Sequence, residues 1–592
     1  MSLEMEKLNS AVSRPYGRTW SSSEKPPEPL PAEMQISEVF GQTQRKLLIL
    51  GEPGAGKTTT MLELARELLD AAKRDNTQPI PVLVSLSSWK QPNVGIFDWL
   101  VAELKDRFGL SRDIWKTWLG SGALLPLLDG LDEVTPELQP KCAEAINTWL
   151  TGDIEKRPCG VLVCCRREEF ETIVGKKLSL QGAIYLQPLT ARQIEEYFDR
   201  LKLSDLWQTV GEDAALQELL AKPLFLSMFG LVRVEEKFDL AVWQKRETSE
   251  AKIEYLFDTY WDAVMSRELI LEPGKQNAGW RSRTYKTKSL PQHEAVRRML
   301  VFIAKGIERD SSIGTEFLIE RMQPSWLPEE YQKTSYDILY LLSFMVLFEL
   351  GCLLFGYRDN SRLPSVLNIL WLTFPWLRYI ILPSNREIKP TEKINFDFLL
   401  KMNKNFLRIF FSIAAISLML LADFINSIIS PWKEIFSFLI IILSGVYINS
   451  LVREMIIKMR SEELNSIKVN QGIIQSWKNI LIFTIWMLFL GLLTFIRLQV
   501  GISILVSNFF LSNIFIEYII YITVIAFFEG GGRAILQHIA LRIVLWLNRY
   551  VPFHFDLLLD YCTERLLIQR IGGRYRFMHK LLQDYFAKME LD

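Results

Sequence analysis

An apolar run followed at once by a glycine-rich turn and a helical pattern is the feature that most restricts the fold of this chain. Residues 47–60 read LLILGEPGAGKTTT, and the helical pattern MLELARELL continues from Met61. The run is typical of a buried parallel strand, and G-x4-G-K-T is the spacing of a loop whose backbone N–H groups surround phosphates. A helix N-terminus after the loop favours an anion. The predicted phosphate contacts are Gly51, Gly54, Gly56, Lys57, Thr58 and Thr59.

A second apolar run, ALLPLLDGLDE at 123–133, ends in acids, and a further strand candidate, PVLVSLSSW, precedes it at 81–89. The end of such a strand directs Asp129 toward Mg²⁺, which the Thr58 hydroxyl would also bind. Asp132 and Glu133 follow within one turn, where a carboxylate can polarise an attacking water. A plain surface turn is the alternative, and the upstream glycine-rich loop favours the catalytic interpretation.

A third apolar strand, GVLVCCRREEF, has Arg166 at its end. An arginine there can sense a γ-phosphate, and a solvated arginine at a strand end is the alternative. The three motifs together predict an α/β P-loop NTPase, a parallel sheet with flanking helices that binds ATP or ADP with Mg²⁺.

These motifs resemble those of the NACHT family, STAND-class NTPases related to the animal NOD-like receptors. The resemblance rests on LLILGEPGAGKTT, LLPLLDGLDE and VLVCCR, and it continues through IYLQPLTARQIEEYF at 184–198 and AKPLFLSMF at 221–229. It implies that Arg166 is the sensor arginine and that Pro223 packs on the adenine. The family usually has a threonine before the Ser/Cys-Arg pair, whereas Cys164 stands here, so a hydroxyl contact at this position is not expected.

The resemblance resumes at the C-terminus, where ERLLIQRIGGRYRFMHKLLQDYFAKM at 564–589 is similar to the end of the family's winged-helix domain. The residues themselves predict a strand at 566–571, a Gly572-Gly573 hairpin turn, an alternating second strand and an amphipathic helix. His579 matches the family position whose histidine contacts the β-phosphate of ADP. A structural histidine at a strand–helix junction is the alternative.

The C-terminal half contains six apolar runs, each near or above the length that crosses a bilayer. They are 338–356, 364–382, 406–429, 435–452, 480–498 and 504–528. Basic residues concentrate in 383–404 and 453–478, which the positive-inside rule places in the cytoplasm. The runs therefore predict an α-helical transmembrane bundle, with the NTPase and the C-terminus on the cytoplasmic side of the plasma membrane or of another membrane facing the cytoplasm. Buried helices of a large soluble domain are the alternative.

Three acids lie within the predicted spans, namely Glu349, Asp423 and Glu517. Intramembrane acids are costly and are candidates for an ion path, whereas pairing with Arg378 or Arg497 is the structural alternative.

Charge and cysteine content exclude several other classes of protein. Lys+Arg and Asp+Glu both number 68 in the 592 residues, so no polycationic surface indicates nucleic acid. The six cysteines lack CxxC spacing, which disfavours a zinc site or a disulfide framework. The N-terminus has no apolar stretch typical of a secretory signal.

The predicted organisation has six parts. They are a linker-like segment at 1–45, the NACHT NTPase domain at 46–200, a helical domain at 201–250, the first part of a winged helix at 251–335, the transmembrane region at 336–529 and the rest of the winged helix at 530–592.

The predicted function is a membrane-anchored nucleotide switch with slow ATP hydrolysis, a signalling or defence output and homo-oligomerisation on activation. One alternative is an ATP-driven transporter, which the lack of an LSGGQ-like signature disfavours. Another is a non-hydrolysing membrane scaffold, which the intact lysine and carboxylates disfavour.

Overall fold

The computed structural model describes most of residues 34–354 and 531–591. The gaps within these ranges are 175–177, 205–206, 208–209, 212, 268–281, 286–288 and 311–314. Residues 5–7 and 28–29 are also described, as are a few isolated positions between 388 and 527.

The strands in chain order are β1 Met5–Lys7, β2 Glu28–Pro29, β3 Lys46–Gly51, β4 Ile80–Ser85, β5 Leu124–Asp129, β6 Val161–Arg166, β7 Gly182–Leu186, β8 Lys393–Ile394, β9 Arg460–Glu462, β10 Ile568–Ile571 and β11 Arg574–Phe577. The helices are α1 Ile36–Gln42, α2 Lys57–Arg74, α3 Ile96–Phe108, α4 Arg112–Gly120, α5 Gln139–Thr151, α6 Arg167–Glu169, α7 Ala191–Arg200, α8 Ala214–Leu220, α9 Pro223–Val234, α10 Leu240–Gln244, α11 Ser249–Ser266, α12 His293–Arg309, α13 Glu330–Leu354, α14 Arg533–Leu547, α15 Phe555–Glu564 and α16 Lys580–Lys588.

Five parallel strands form the centre of a sheet in the order β7-β3-β6-β5-β4. Helices cover both faces, which is why the strands are apolar throughout rather than alternating. Along β3, Leu48 and Leu50 pack with residues of α3, α4 and α5, while Leu47 and Ile49 pack with α1 and α2. Each fully buried leucine or isoleucine stabilises the fold by roughly 1.5–3 kcal/mol. The predicted α/β P-loop architecture is confirmed.

Register brings the carboxyl ends of the motif-bearing strands to one edge of this sheet. Gly51 at the end of β3 is the pairing partner of Arg166 at the end of β6. Asp129 at the end of β5 pairs with Ser85 of β4. Residues that are far apart in the sequence therefore meet beyond this edge, where ligands of open α/β sheets bind.

Residues 1–45, expected to be linker-like, contribute more structure than the sequence indicated. β1 pairs antiparallel with β7 and with β2, which extends the sheet at its β7 edge. The apolar residues of α1, among them Val39 and Phe40, are buried in the core. These elements were not predicted because each is short and contains few apolar residues, and because the sequence between them is rich in proline and serine.

Helices α7 to α11 follow the sheet, and all of them except α9 begin at a residue whose side chain accepts a backbone hydrogen bond. Thr190 and Gln193 form a reciprocal capping box at the start of α7. Asp213, Asp239 and Thr248 accept backbone hydrogen bonds at the starts of α8, α10 and α11. The helical character predicted for 201–250 thus extends through α11 to Ser266.

The C-terminal residues form a hairpin between two helices. β10 and β11 pair through a turn at Gly572, whose φ of 63° is in the left-handed region that glycine adopts without strain. Helix α16 packs against α12 and α11. Phe317 forms an antiparallel bridge with Tyr575, which brings the chain before residue 318 beside the hairpin. The hairpin and helix predicted from the sequence are confirmed.

The chain divides into two compact units, Met1–Phe317 with His554–Asp592, and Leu318–Phe553. In the described part of the second unit, Gln332 donates hydrogen bonds to Asn548 and Tyr550. His538 bonds to the Ile319 carbonyl, and its burial lowers its pKa to about 4. It is a buried structural histidine.

The first predicted span, 338–356, coincides with most of α13, while the other five lie almost entirely outside the described residues. Among the described residues no single helix is both long and apolar enough to cross a bilayer. One pair, Ala214–Leu220 and Pro223–Val234, meets the length and composition criteria together but bends by 111°. The transmembrane bundle, and the ion path through Glu349, Asp423 and Glu517, stay predictions.

Candidate functional site

The glycine-rich loop between β3 and α2 has the backbone shape of a phosphate cradle. Gly54 and Gly56 have φ values of 80° and 92°, a region that side chains with a Cβ rarely adopt. Gly56 is the N-cap residue of α2, so the first N–H groups of this 18-residue helix face the loop. Lys57 folds back across the loop, and its Nζ donates to the Gly51 and Glu52 carbonyls at 2.8 and 3.1 Å.

The two residues predicted to bind Mg²⁺ are in direct contact. Thr58 Oγ1 donates to Asp129 Oδ2 at 2.9 Å, although the residues lie on different elements. Burial raises the pKa of Asp129, and the Thr58 hydrogen bond opposes that shift. Thr59, the remaining threonine of the motif, is exposed on the first turn of α2.

Hard oxygen ligands of this kind fit Mg²⁺, which usually takes one or two protein oxygens and completes its shell with phosphate and water. Within the described ranges no group of three or more His, Cys, Asp or Glu residues gathers to hold a metal by protein ligands alone. The described cysteines are free thiols. The pair Thr58 and Asp129 is therefore the part of the described chain that suits a nucleotide-bound Mg²⁺.

Glu133 follows the end of β5 and is exposed to solvent. It follows Gly130, whose φ is 73°, and its side chain folds back so closely that a Cβ on Gly130 would lie 2.9 Å from its carboxyl. Although its accessible surface is large, many protein atoms lie near its carboxyl, and these neighbours set its pKa. Burial, reinforced by the negative charges of Asp129 and Asp132, raises its pKa to about 7. A carboxyl with such a pKa suits a general base at neutral pH.

Both carboxylate oxygens of Asp132 contact Arg166. Its Oδ1 accepts the backbone N–H of Arg166 at 3.1 Å, and its Oδ2 contacts Arg166 Nε at 2.9 Å. Glu169 holds another nitrogen of the same guanidinium at 3.1 Å. The structure thus separates two carboxylates that the sequence had placed together: Asp132 orients Arg166, and Glu133 is left as the candidate base.

Cys164 lies in β6 opposite Ile49 and is completely buried. Burial raises the pKa of its thiol well above the ordinary value, so it stays protonated at neutral pH. A neutral thiol offers only a weak hydrogen bond in place of the hydroxyl that the family usually has.

Helix α9 starts against the glycine-rich loop. Pro223 is its first residue, and the N–H of the next residue, Leu224, donates to the Gly54 carbonyl at 3.2 Å. A Cβ on Gly54 would lie 3.2 Å from Leu224 Cβ, so the close approach also requires glycine. This contact places Pro223 beside the loop, as its predicted role at the adenine requires.

His579 caps α16 and lies within electrostatic range of the loop. Its Nδ1 accepts the N–H of Leu581 at 3.1 Å. Burial and the positive charges of Arg166 and Lys57 lower its pKa to about 4, so the ring is neutral at pH 7. Because Nδ1 is the acceptor, Nε2 carries the proton of the neutral ring and can donate to an anion.

Arg576 is a site residue that the sequence reasoning missed. Its charge opposes the rise in pKa that burial causes in both Asp129 and Glu133, while its Nε donates to Gln569 on the neighbouring strand at 3.0 Å. The sequence signal was the alternation of Arg574-Tyr575-Arg576-Phe577, which puts both arginines on one face of β11. Nothing in that alternation indicated which surface the face would meet.

Comparison with known families agrees with this geometry. Residues 45–205 match the NACHT domain family. This region is a NACHT domain. It is a P-loop NTPase fold, and nucleotide binding is the property that the domain implies. No curated protein matches the chain.

Among solved structures, the Orc1 protein of Aeropyrum pernix in complex with DNA is similar over 57% of this chain and 81% of its own, with 14% identity and a TM-score of 0.24. A likeness of that size supports no argument about function.

Proposed function

We propose that the protein is a nucleotide switch in which ADP joins the NACHT domain to the C-terminal hairpin and helix, and exchange for ATP separates them. The supporting observation is the position of His579. This residue lies more than 500 positions after the glycine-rich loop, yet the charges of Lys57 and Arg166 reach its imidazole within one compact unit.

In this proposal the loop residues bind and orient the nucleotide. The N–H groups from Gly51 to Thr58 and the Lys57 ammonium hold the phosphates, and Thr58 with Asp129 would hold Mg²⁺. The ion would neutralise charge on the phosphates when bound. Glu133 takes the proton of the attacking water, and Arg166, oriented by Asp132, stabilises charge on the γ-phosphate. Pro223 packs on the base.

The switch needs a contact that differs between the two nucleotides. Nε2 of neutral His579 donates to a terminal phosphate of ADP, and an additional phosphate would compete for the same space and for Arg166. Inverting a 1:99 population requires a difference of about 5.5 kcal/mol between the two states. Contacts of Lys57, Arg166 and Mg²⁺ with the γ-phosphate are the proposed source, and slow hydrolysis resets the switch.

The membrane part of the proposal rests on the path of the chain. Residues up to Phe317 and from His554 onward belong to one unit, and the predicted spans lie between them. A winged helix interrupted in this way needs both ends of the insertion on one side of the membrane, hence an even number of spans. Movement of the hairpin would then pull on the first and last spans and produce the signalling output.

The decisive experiment identifies the nucleotide retained by the purified full-length protein. We expect ADP, and its absence from carefully purified protein would contradict the switch. The membrane part is tested separately with Ser335→Cys and Glu590→Cys variants and an impermeant thiol reagent on intact cells. Protection of both sites supports an even span number, and labelling of the 590 site alone would contradict it.

A further inference from the structure

A buried cluster of charges joins helix α3 of the NACHT domain to the C-terminal hairpin. We call it the Arg574 cluster; its members are Glu103, Asp106, Arg107, Glu316 and Arg574. No side chain in it is more than 11% exposed. The cluster lies outside the nucleotide site, and the proposed mechanism does not use it.

Arg574 is the member that spans the two regions. Its guanidinium contacts Glu103 at 3.2 Å, Asp106 at a short distance and Glu316 at 3.5 Å. Arg107 pairs with Glu103 at 2.8 Å and with Glu316 at 3.0 Å. Arg574 is therefore held by carboxylates of α3 and of the strand-like segment that ends at Phe317.

The charges make the cluster dependent on the hairpin. Burial pushes the pKa of Glu103 up, but Arg574 and Arg107 outweigh it and leave the pKa below its ordinary value. With Arg574 in place, three carboxylates face two guanidinium groups. Removing Arg574 would take away its contacts with Glu103, Asp106 and Glu316 and leave these largely buried acids with one counter-charge fewer, which is strongly unfavourable.

Strand β11 connects Arg574 with the residues that lie near the nucleotide site. Arg574 and Arg576 are two residues apart and share one face, so fixing the first also fixes where the second lies. The strand ends at Phe577, and His579 caps α16 two residues later. The position of the imidazole relative to Lys57 and Arg166 thus depends on where β11 is held.

Residues 315–317, which precede the second unit, contact the same hairpin and the Arg574 cluster. Thr315 Oγ1 and Ser87 Oγ are 3.2 Å apart, Glu316 belongs to the cluster, and Phe317 exchanges backbone hydrogen bonds with Tyr575 at 2.8 and 2.9 Å. Phe317 is the last residue before the chain continues into Leu318–Phe553. A displacement of the chain there would act on Glu316 and Arg574 together.

We infer that Arg574 is a positioning residue that, through the carboxylates of α3, holds His579 against the nucleotide and so sets the lifetime of bound ADP. The inference rests on the proposed function. A residue that only stabilises the fold would affect ADP release whether or not His579 is present. Arg574 acts on ADP through His579, so its loss should hardly change the rate of ADP release once His579 has been replaced.

The test is a double-mutant cycle on the full chain, with dissociation of a fluorescent ADP analogue as the readout. Arg574→Met should speed dissociation about tenfold or more, because it removes a guanidinium group that contacts three buried acids. In the His579→Leu background the same change should add less than about twofold. If the rate increases of the two single variants multiply in the double variant, the two residues act independently and the inference is wrong. A parent-like dissociation rate for Arg574→Met would also overturn it.

Arg570→Met is the matched control. Arg570 lies on the adjacent strand, and its 3.0 Å ion pair with Asp560 stays within the C-terminal segment. We expect its dissociation rate to stay within about twofold of the parent, since exposed pairs contribute little. If Arg570→Met speeds dissociation as much as Arg574→Met does, the effect comes from the stability of the hairpin, and Arg574 is not a positioning residue.

Arg574→Lys covers the case in which Arg574→Met does not fold. Lysine keeps the charge but lacks the planar fork that spans Glu103 and Asp106, so a smaller acceleration of about two- to fivefold is expected. No change would overturn the inference. If the parent binds no ADP analogue, the proposed function fails, whereas a parent that binds and Arg574 variants that release at the parent rate refute only the inference.

Discussion

The glycine-rich loop and the β11 strand that ends near His579 face the same site but are specified in opposite ways. Loop residues 51–58 are contiguous, and their function depends on backbone N–H groups, two glycines at positive φ and one lysine. The C-terminal side depends on Arg574, Arg576 and His579 meeting partners hundreds of positions away. In the proposed switch, nucleotide binding is therefore encoded locally, and control of binding is encoded in tertiary contacts.

The largest expected effect comes from breaking the local side. Lys57→Ala removes the cation that the loop aims at the phosphates, and we expect nucleotide affinity to fall about a thousandfold or more. Lys73→Ala is the control, because Lys73 lies on the same helix and its pair with Asp70 is exposed. Calorimetric titration with ADP measures both variants. Parent-like affinity in Lys57→Ala would remove the loop from the nucleotide site.

The next effect distinguishes the two acids after β5. Glu133→Gln should leave nucleotide affinity unchanged and slow single-turnover hydrolysis about a hundredfold, as loss of a general base does. Asp132→Asn should weaken the hold on Arg166 and slow hydrolysis less, because both carboxylate oxygens of Asp132 contact Arg166. Hydrolysis by Glu133→Gln at the parent rate would return the base to Asp132 or to another residue.

Asp129→Asn completes the series as a test of Mg²⁺ binding. The amide keeps a contact to Thr58 but loses the negative charge, so the Mg²⁺ concentration needed for half-maximal hydrolysis should rise while Mg²⁺-free ADP binding stays near the parent value. An unchanged Mg²⁺ requirement would exclude Asp129 as a ligand.

The same contrast explains what could be predicted from sequence. The strand at 47–50 appears as Lys46–Gly51, the acidic strand as Leu124–Asp129 and the hairpin around Gly572, because local periodicity and turn residues determine such elements. The separate contacts of Asp132 and Glu133, and the electrostatic influence of Arg576 on Asp129, were not predictable. They depend on how a loop folds back and on which surface β11 meets, and no periodicity encodes either.

A smaller effect is expected at His579. His579→Leu removes a donor to charged phosphate and should speed ADP dissociation about tenfold. Leucine also removes the cap of α16, which costs about 1 kcal/mol of stability, so a second variant is needed. His579→Asn keeps a side-chain oxygen for the Leu581 N–H and isolates the nucleotide contact. Dissociation rates equal to the parent in both variants would leave His579 a structural cap.

The smallest effect is a pH dependence of the C-terminal contact in nucleotide-free protein. Burial, together with the positive charges of Arg166 and Lys57, gives His579 a pKa of about 4, whereas a free histidine titrates near 6.5. The packed pKa is the lower one, so the contact is fully favoured above about pH 6.5 and weakens as pH falls toward 4. Between pH 7.5 and 6.0 the opened fraction should rise about fourfold. Hydrogen exchange of residues 580–588 measures this opening, and His579→Asn corrects for the intrinsic pH dependence because asparagine does not titrate. The ratio of opening in the parent to that in the variant should climb as pH falls. A ratio that does not change with pH would mean that the imidazole does not lie near Lys57 and Arg166. The C-terminal hairpin would then have no demonstrated electrostatic contact with the glycine-rich loop.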